Sequence, residues 1–356
     1  FEATDFNIMC DEPWELGKGR SAARARRIGV GRLYVEFIKK LDRLCRRHGK
    51  RTNMWTDVVL AHPESLSELP RDIVMLNWTY ALGSPLIKRT AEIVGNGFRV
   101  VVCPGTHGWN SHGCRLDTGM RNIAEFTAEG LRRGAEGLLN TDWGDNGHRN
   151  LLAVSLHNMA WGGAQGWNHR GTRAEGFSAR FCHAIFGLRD GCMADAIRTL
   201  GTTMNTTTWR SFDRVLYDSL MRPVQWGYDF FNQALKQLPT LDADCLDERY
   251  EMLDALKWPA LPARTTPFLQ ALREEYRMAT QLDLLAAERC RTLKAAQAGQ
   301  RVSAARWRAL IRRTHATAEA LRTVWLLNNR PSRLREHLAG FRATIRGYER
   351  SIRGRG

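Results

Sequence analysis

The chain has 356 residues, 43% hydrophobic and 25% charged, with a formal net charge of +16. These fractions are those of a globular protein with room for two domains and at least one sizeable core. No uninterrupted apolar run approaches the roughly 20 residues that cross a bilayer, so no membrane partner is expected.

Of the 53 basic residues, 45 are Arg and 8 are Lys. Clustered cations would suit a nucleic-acid binder, because they release counterions from phosphates. Here Arg, Ala and Gly are abundant, Lys is scarce, and the Arg residues are spread over many helices. A GC-rich coding bias accounts for that pattern, and no nucleic-acid partner is expected. The eight Cys show no CxxC and no regular spacing, so they read as buried small hydrophobes rather than a disulfide framework. The first residue is Phe1 and no signal-like segment precedes the first strand-like run. The chain is therefore read as a fragment lacking its upstream part, and its compartment stays open.

In chain order, Phe6 to Cys10 reads as a strand ending at Asp11-Glu12. Gly31 to His48 reads as a helix with Leu33, Phe37, Leu41 and Leu44 on its apolar face and Gly49 as its stop. Strands are expected over Thr52–Leu60, Asp72–Trp78, Phe98–Cys103 and Gly137–Thr141, with helices over Pro85–Val94 and Asn122–Arg133. Strands alternating with helices imply a parallel sheet, and each strand is followed by a loop rich in Trp, Asp, Gly or Pro. No Gly-rich nucleotide fingerprint follows any strand, which favours a (β/α)₈ barrel over an open doubly wound sheet. TTMNTTTW at 202–209 reads as a polar loop. Long helices are expected from Pro267 to Leu293, from Trp307 to Trp325 and from Leu334 to Ile352, broken near Gly299 and Pro331. The expected organisation is a barrel region over 1–170 and a mainly helical domain over 171–356.

Asp11 and Glu12 are the leading candidates for chemistry. Neighbouring carboxylates repel, so one of a pair keeps its proton more readily, as a general acid beside an ionised partner requires. Trp55, Trp78 and Trp143 each close a strand candidate, and Trp109 follows another. Aromatic faces pack on the apolar faces of sugar rings, so tryptophans at several strand ends suit a carbohydrate. Asp57 and Asp145 lie two residues beyond Trp55 and Trp143, where they could accept from sugar hydroxyls. In CPGTHGWNSHGC, Cys103, His107, His112 and Cys114 are ligand types for zinc, but their spacing fits no common site. No metal and no cofactor is expected.

FNIMCDEPWELGKGRS resembles the fourth-strand segment of glycoside hydrolase family 20, where an Asp-Glu pair ends the strand. MWTDVVLAHPE, LNWTY, VVCPGTHGWN and GAEGLLNTDWGDNGH are similar to the four later strands of bacterial members. The likeness covers about residues 5–170, and WLLNNRPSRLREHLAGF resembles the helical tail of such proteins. It implies strands four to eight of a (β/α)₈ barrel and a β-N-acetylhexosaminidase-like activity on an amino-sugar glycan. It also implies that Glu12 protonates the glycosidic oxygen and that Asp11 orients the substrate's 2-acetamido group. By the same likeness Trp55, Trp78 and Trp143 line the sugar site, and Asp145 holds a distal hydroxyl; Trp109 joins them only by its place after a strand.

Three positions depart from the family. Met9-Cys10 stands where the family carries Gly-Gly or Gly-Ala, and Trp143-Gly144-Asp145 replaces Trp-x-Glu. The family's strand-seven Tyr has no counterpart among Thr106, Trp109 and Asn110, leaving Tyr80 as its candidate substitute. Two other functions fit the same sequence: a barrel that binds carbohydrate without cleaving it, or cleaves another glycoside, and an Arg-rich protein that binds nucleic acid or a partner. Sugar specificity, linkage and oligomeric state are not readable from the sequence.

Overall fold

The computed structural model describes residues 2–145, 149–202, 212–220, 224–225 and 228–354. Five parallel strands form one sheet: β1 (Asp5–Asn7), β2 (Arg51–Trp55), β3 (Val74–Trp78), β4 (Arg99–Cys103) and β5 (Gly137–Leu138). Each pairs with its neighbour in sequence, Phe6 opposite Thr52, Trp55 opposite Leu76 and Trp78 opposite Cys103. The α/β architecture expected from the alternation is present. Parallel strands need crossovers on the sheet faces, and β3 is accordingly buried along almost its whole length.

Two compact units divide the chain. The first comprises Phe1–Gly105, Arg121–Thr141 and Gly162–Thr172; the second comprises Thr106–Met120, Asp142–Trp161 and Arg173–Gly356. In the first unit, Tyr34, Val35 and Ile38 pack with Met54, Met75, Val100, Val102 and Phe126 in one core. Gly130 allows the helix Leu116–Arg132 to lie close on β4, because a Cβ there would overlap the Val102 side chain.

The second unit is built on the long helix Pro267–Gln297, followed by Ala304–Asn328 and Leu334–Arg353. Thr266 and Ser303 cap the first two of these by accepting from Leu269 N and Arg306 N, and Pro267 sits in the first turn, where its missing N–H costs nothing. Their inner faces share a core that includes Leu285, Trp307, Leu310, Leu321, Phe341 and Tyr348. No helix among the described residues is long and apolar enough to cross a membrane.

Several expectations need correction. The strand expected over 52–60 stops at Trp55, and Asp57–Ala61 is a short helix that buries Val58, Val59 and Leu60. A short apolar run carries no period that separates strand from buried helix. The helix expected over 85–94 is two, Pro85–Lys88 and Thr90–Gly95, and that expected from Asn122 begins at Leu116. β5 ends at Leu138, with only a bridge from Thr141 to Gly105 beyond it. The helix Val30–Arg47 buries Tyr34, Val35, Ile38, Asp42 and Cys45, leaving Phe37 and Leu44 exposed. Two apolar stripes run along that helix, and the one that carries Tyr34 faces the sheet. Of the loop at 202–209, only Thr202 lies within the described residues.

Candidate functional site

After β1 the chain turns sharply, and the turn carries the acid pair. Met9, Cys10 and Glu12 have φ of 60°, 65° and 44°. In this left-handed region a Cβ crowds the backbone, at roughly 1–2 kcal/mol per residue. Contacts around the turn hold it in place. Asn7 Oδ1 accepts from Met9 N at 2.8 Å, and Trp55 N donates to Met9 O at 3.4 Å. Tyr34, from the first turns of its helix, donates its hydroxyl to Cys10 O at 2.8 Å. Asp57 Oδ2 accepts from Glu12 N at 2.9 Å.

Tyr34 is 2% exposed, and burial pushes its hydroxyl pKa up, so it remains a donor. Asp57 opens the helix after β2. Burial raises its carboxyl pKa, opposed by the Glu12 N–H, its own N–H and the nearby Trp78 indole. The indole favours the charged carboxylate although Trp78 Nε1 and Asp57 Oδ1 fall short of hydrogen-bond geometry with any partner among the described residues. Cys10 is also shifted upward, by burial first and then by the charges of Asp11 and Asp57.

Asn77 positions the end of β3. Fully buried, it donates to Leu86 O and Thr90 Oγ1 at 3.1 and 3.0 Å and accepts from Thr56 Oγ1 at 3.2 Å. Trp78 follows it, with the Tyr80 ring stacked at 5.4 Å.

A cleft of about 410 Å³ opens where β1, β2 and β3 end; Glu12, Trp14, Asp57, His62 and Trp78 are among its walls. Its size falls in the usual range for small-ligand sites. The structure thus brings together Glu12 and Trp78, with Tyr80 behind Trp78. Asp11 adjoins Glu12 and lies near enough to Asp57 to act on its charge. Trp55 is 3% exposed, packed inside the unit rather than on the cleft wall. Trp14, 73% exposed, joins the wall without having been singled out; its signal was the Pro-Trp directly after the acid pair. Tyr34 left no signal, because a helical Tyr in an apolar stripe looks like any core residue.

Trp109, Trp143 and Asp145 belong to the second unit. Trp109 is buried and stacked on His107 at 5.1 Å. Asn110 donates to Asp145 Oδ2 at 3.1 Å, and Trp143 is half-buried. Asp142 accepts from Thr106 and from Ser155, the latter at 2.9 Å. Cys114 Sγ reaches Thr106 O at 3.3 Å, and the His112 ring lies 5.0 Å from Tyr217. Within this unit, therefore, Cys114 and His112 face different neighbours. Among the described residues no three His, Cys, Asp or Glu side chains are grouped to hold a metal.

Comparison with protein-family models and with characterised proteins gave no match to this chain.

Proposed function

We propose that the chain is a glycoside hydrolase that releases N-acetylhexosamine residues by substrate-assisted retention, with β1–β5 as strands four to eight of a (β/α)₈ barrel. One observation carries the reading. Glu12 lines a single cleft with the rings of Trp14 and Trp78, at the C-terminal ends of three adjacent parallel strands. Parallel α/β folds place their chemistry at that end. The resemblance of the motifs in chain order supplies the reaction.

In this reading the tryptophan rings bear on the apolar faces of the sugar and exclude water. Glu12 donates a proton to the glycosidic oxygen as the bond to the anomeric carbon breaks. The substrate's own acetamido carbonyl oxygen attacks that carbon from the opposite face, forming a cyclic intermediate. Asp11 holds the acetamido N–H and balances the growing positive charge. Glu12, now a carboxylate, takes a proton from the water that opens the intermediate, so configuration is retained. Asp57 touches no substrate atom in this scheme; it fixes the Glu12 backbone.

Aryl N-acetylhexosaminides, with a plain aryl glucoside beside them, test the reading. Glu12→Gln should slow substrates with poor leaving groups by about 10²–10⁴-fold and those with good leaving groups less. Asp11→Asn should slow both classes alike. Equal cleavage of the glucoside and the N-acetylglucosaminide would rule out substrate assistance.

A further inference from the structure

Residues 301–356 contain 14 Arg and 3 Glu, with no Lys and no Asp. This segment of 56 residues therefore carries +11 of the chain's +16, while the first 300 residues share +5. The even spread expected from looking helix by helix does not hold. Positive charge is dense in two stretches: residues 18–51, with 13 basic and 2 acidic residues, also carry +11, and the last two helices, Ala304–Asn328 and Leu334–Arg353, form the second.

All three acids in this segment are already engaged. Glu319 pairs with Arg322, Glu336 with Arg333, and Glu349 with Arg353. Arg306 and Arg313 turn inward to Glu288 on the preceding long helix. Arg308 and Arg312 on one helix, and Arg335, Arg342, Arg346 and Arg350 on the other, are exposed and in no ion pair among the described residues. The spacings of four on the first helix, and of seven, four and four on the second, keep each set on one side. From Arg335 to Arg350 the stripe runs about 22 Å at 1.5 Å per residue. The Trp307 ring lies 5.6 Å from Tyr348, which sets the helices side by side with Arg308 and Arg312 level with the Arg346 end of the stripe. Trp307, Trp325, Phe341 and Tyr348 are all buried, so no ring is offered to a stacked base. What remains is recognition of a repeated anion by guanidinium groups.

We propose that the outer face of the Ala304–Asn328 and Leu334–Arg353 hairpin docks a linear acidic polysaccharide through sulfate or carboxylate groups. The choice of a polysaccharide rests on the sugar-site reading of the cleft; the charge pattern alone requires only a polyanion.

The test measures binding of the whole chain to heparin as a function of salt, with duplex DNA and anionic phospholipid vesicles as parallel arms. One variant replaces Arg335, Arg342, Arg346 and Arg350 by Gln. A control removes the same charge from exposed arginines of the first unit, replacing Arg26, Arg27, Arg43 and Arg47 by Gln. Heparin should bind saturably and in preference to DNA and vesicles. The hairpin variant should lose about 10-fold or more in affinity near 0.15 M salt, with a salt slope lower by about three to four. The control should lose less than about 3-fold. Equal losses in the two variants would reduce the effect to net charge and overturn the proposal, as would preference for DNA or vesicles. Cleavage of a small aryl N-acetylhexosaminide by the same variants separates the two readings. Cleavage without heparin binding sinks the docking face alone; heparin binding without cleavage sinks the cleft reading alone.

Discussion

Met9 offers a test whose sign, not only its size, depends on the backbone around the acid pair. At an ordinary strand or turn position, replacing Ala by Gly costs about 0.5–1 kcal/mol in unfolded-chain entropy. At φ of 60° a Cβ costs about 1–2 kcal/mol that Gly does not incur. Met9→Gly should therefore be more stable than Met9→Ala by about 0.5–1 kcal/mol, the reverse of the usual order. The Met9 side chain is 44% exposed, so both variants lose similar and modest burial, and their difference isolates the backbone. Urea unfolding followed by tryptophan fluorescence gives the two midpoints. Met9→Ala proving the more stable would mean that the turn is not left-handed at this residue, and the account of the held acid loop would fall with it. Activity adds a second reading, because a glycine at residue 9 frees the turn to wander. On this reasoning Met9→Gly is the more stable of the two variants and the slower to cleave.

Two further outcomes follow from the contacts around that turn. Tyr34→Phe leaves Cys10 O without its donor at a cost of about 1–3 kcal/mol, and should lower kcat more than it changes KM; an unchanged kcat would deny Tyr34 a positioning role. Burial raises the folded pKa of Asp57 above 3.8, so its contribution to stability is greatest at low pH and is lost as pH rises through the folded value. Asp57→Asn removes that loss, so its stability relative to the parent should improve between pH 3.5 and 7; a pH-independent difference in urea midpoints would contradict the burial argument.

Much of the architecture was open to reading because its signals are local. Thr266-Pro267 and Ser303 announce helix starts, and β3 and β4 are apolar runs bounded by turns. The run after Trp55 failed because Val58, Val59 and Leu60 are buried in a helix as readily as in a strand. The face of Val30–Arg47 failed because Leu33-Phe37-Leu41-Leu44 and Tyr34-Val35-Ile38 both have helical spacing. Only the sheet decides between them. Glu12 and Trp78 could be found as chemistry-bearing residues at strand ends. The left-handed turn could not, since Met and Cys give no hint of positive φ where Gly would have.

Glu288 has a consequence for how the last helices find their alignment. It is 7% exposed and receives Arg306 at 3.2 Å together with Arg313, one from each side of a two-turn span on the next helix. Sliding that helix by one turn, about 5.4 Å, would separate at least one guanidinium from the buried Glu288 carboxylate. Leu, Ala and Trp side chains repeat along these helices and would tolerate several offsets. A buried anion on one helix facing two cations on the next thus works as an index mark, selecting one sliding position from several that the apolar contacts alone would accept.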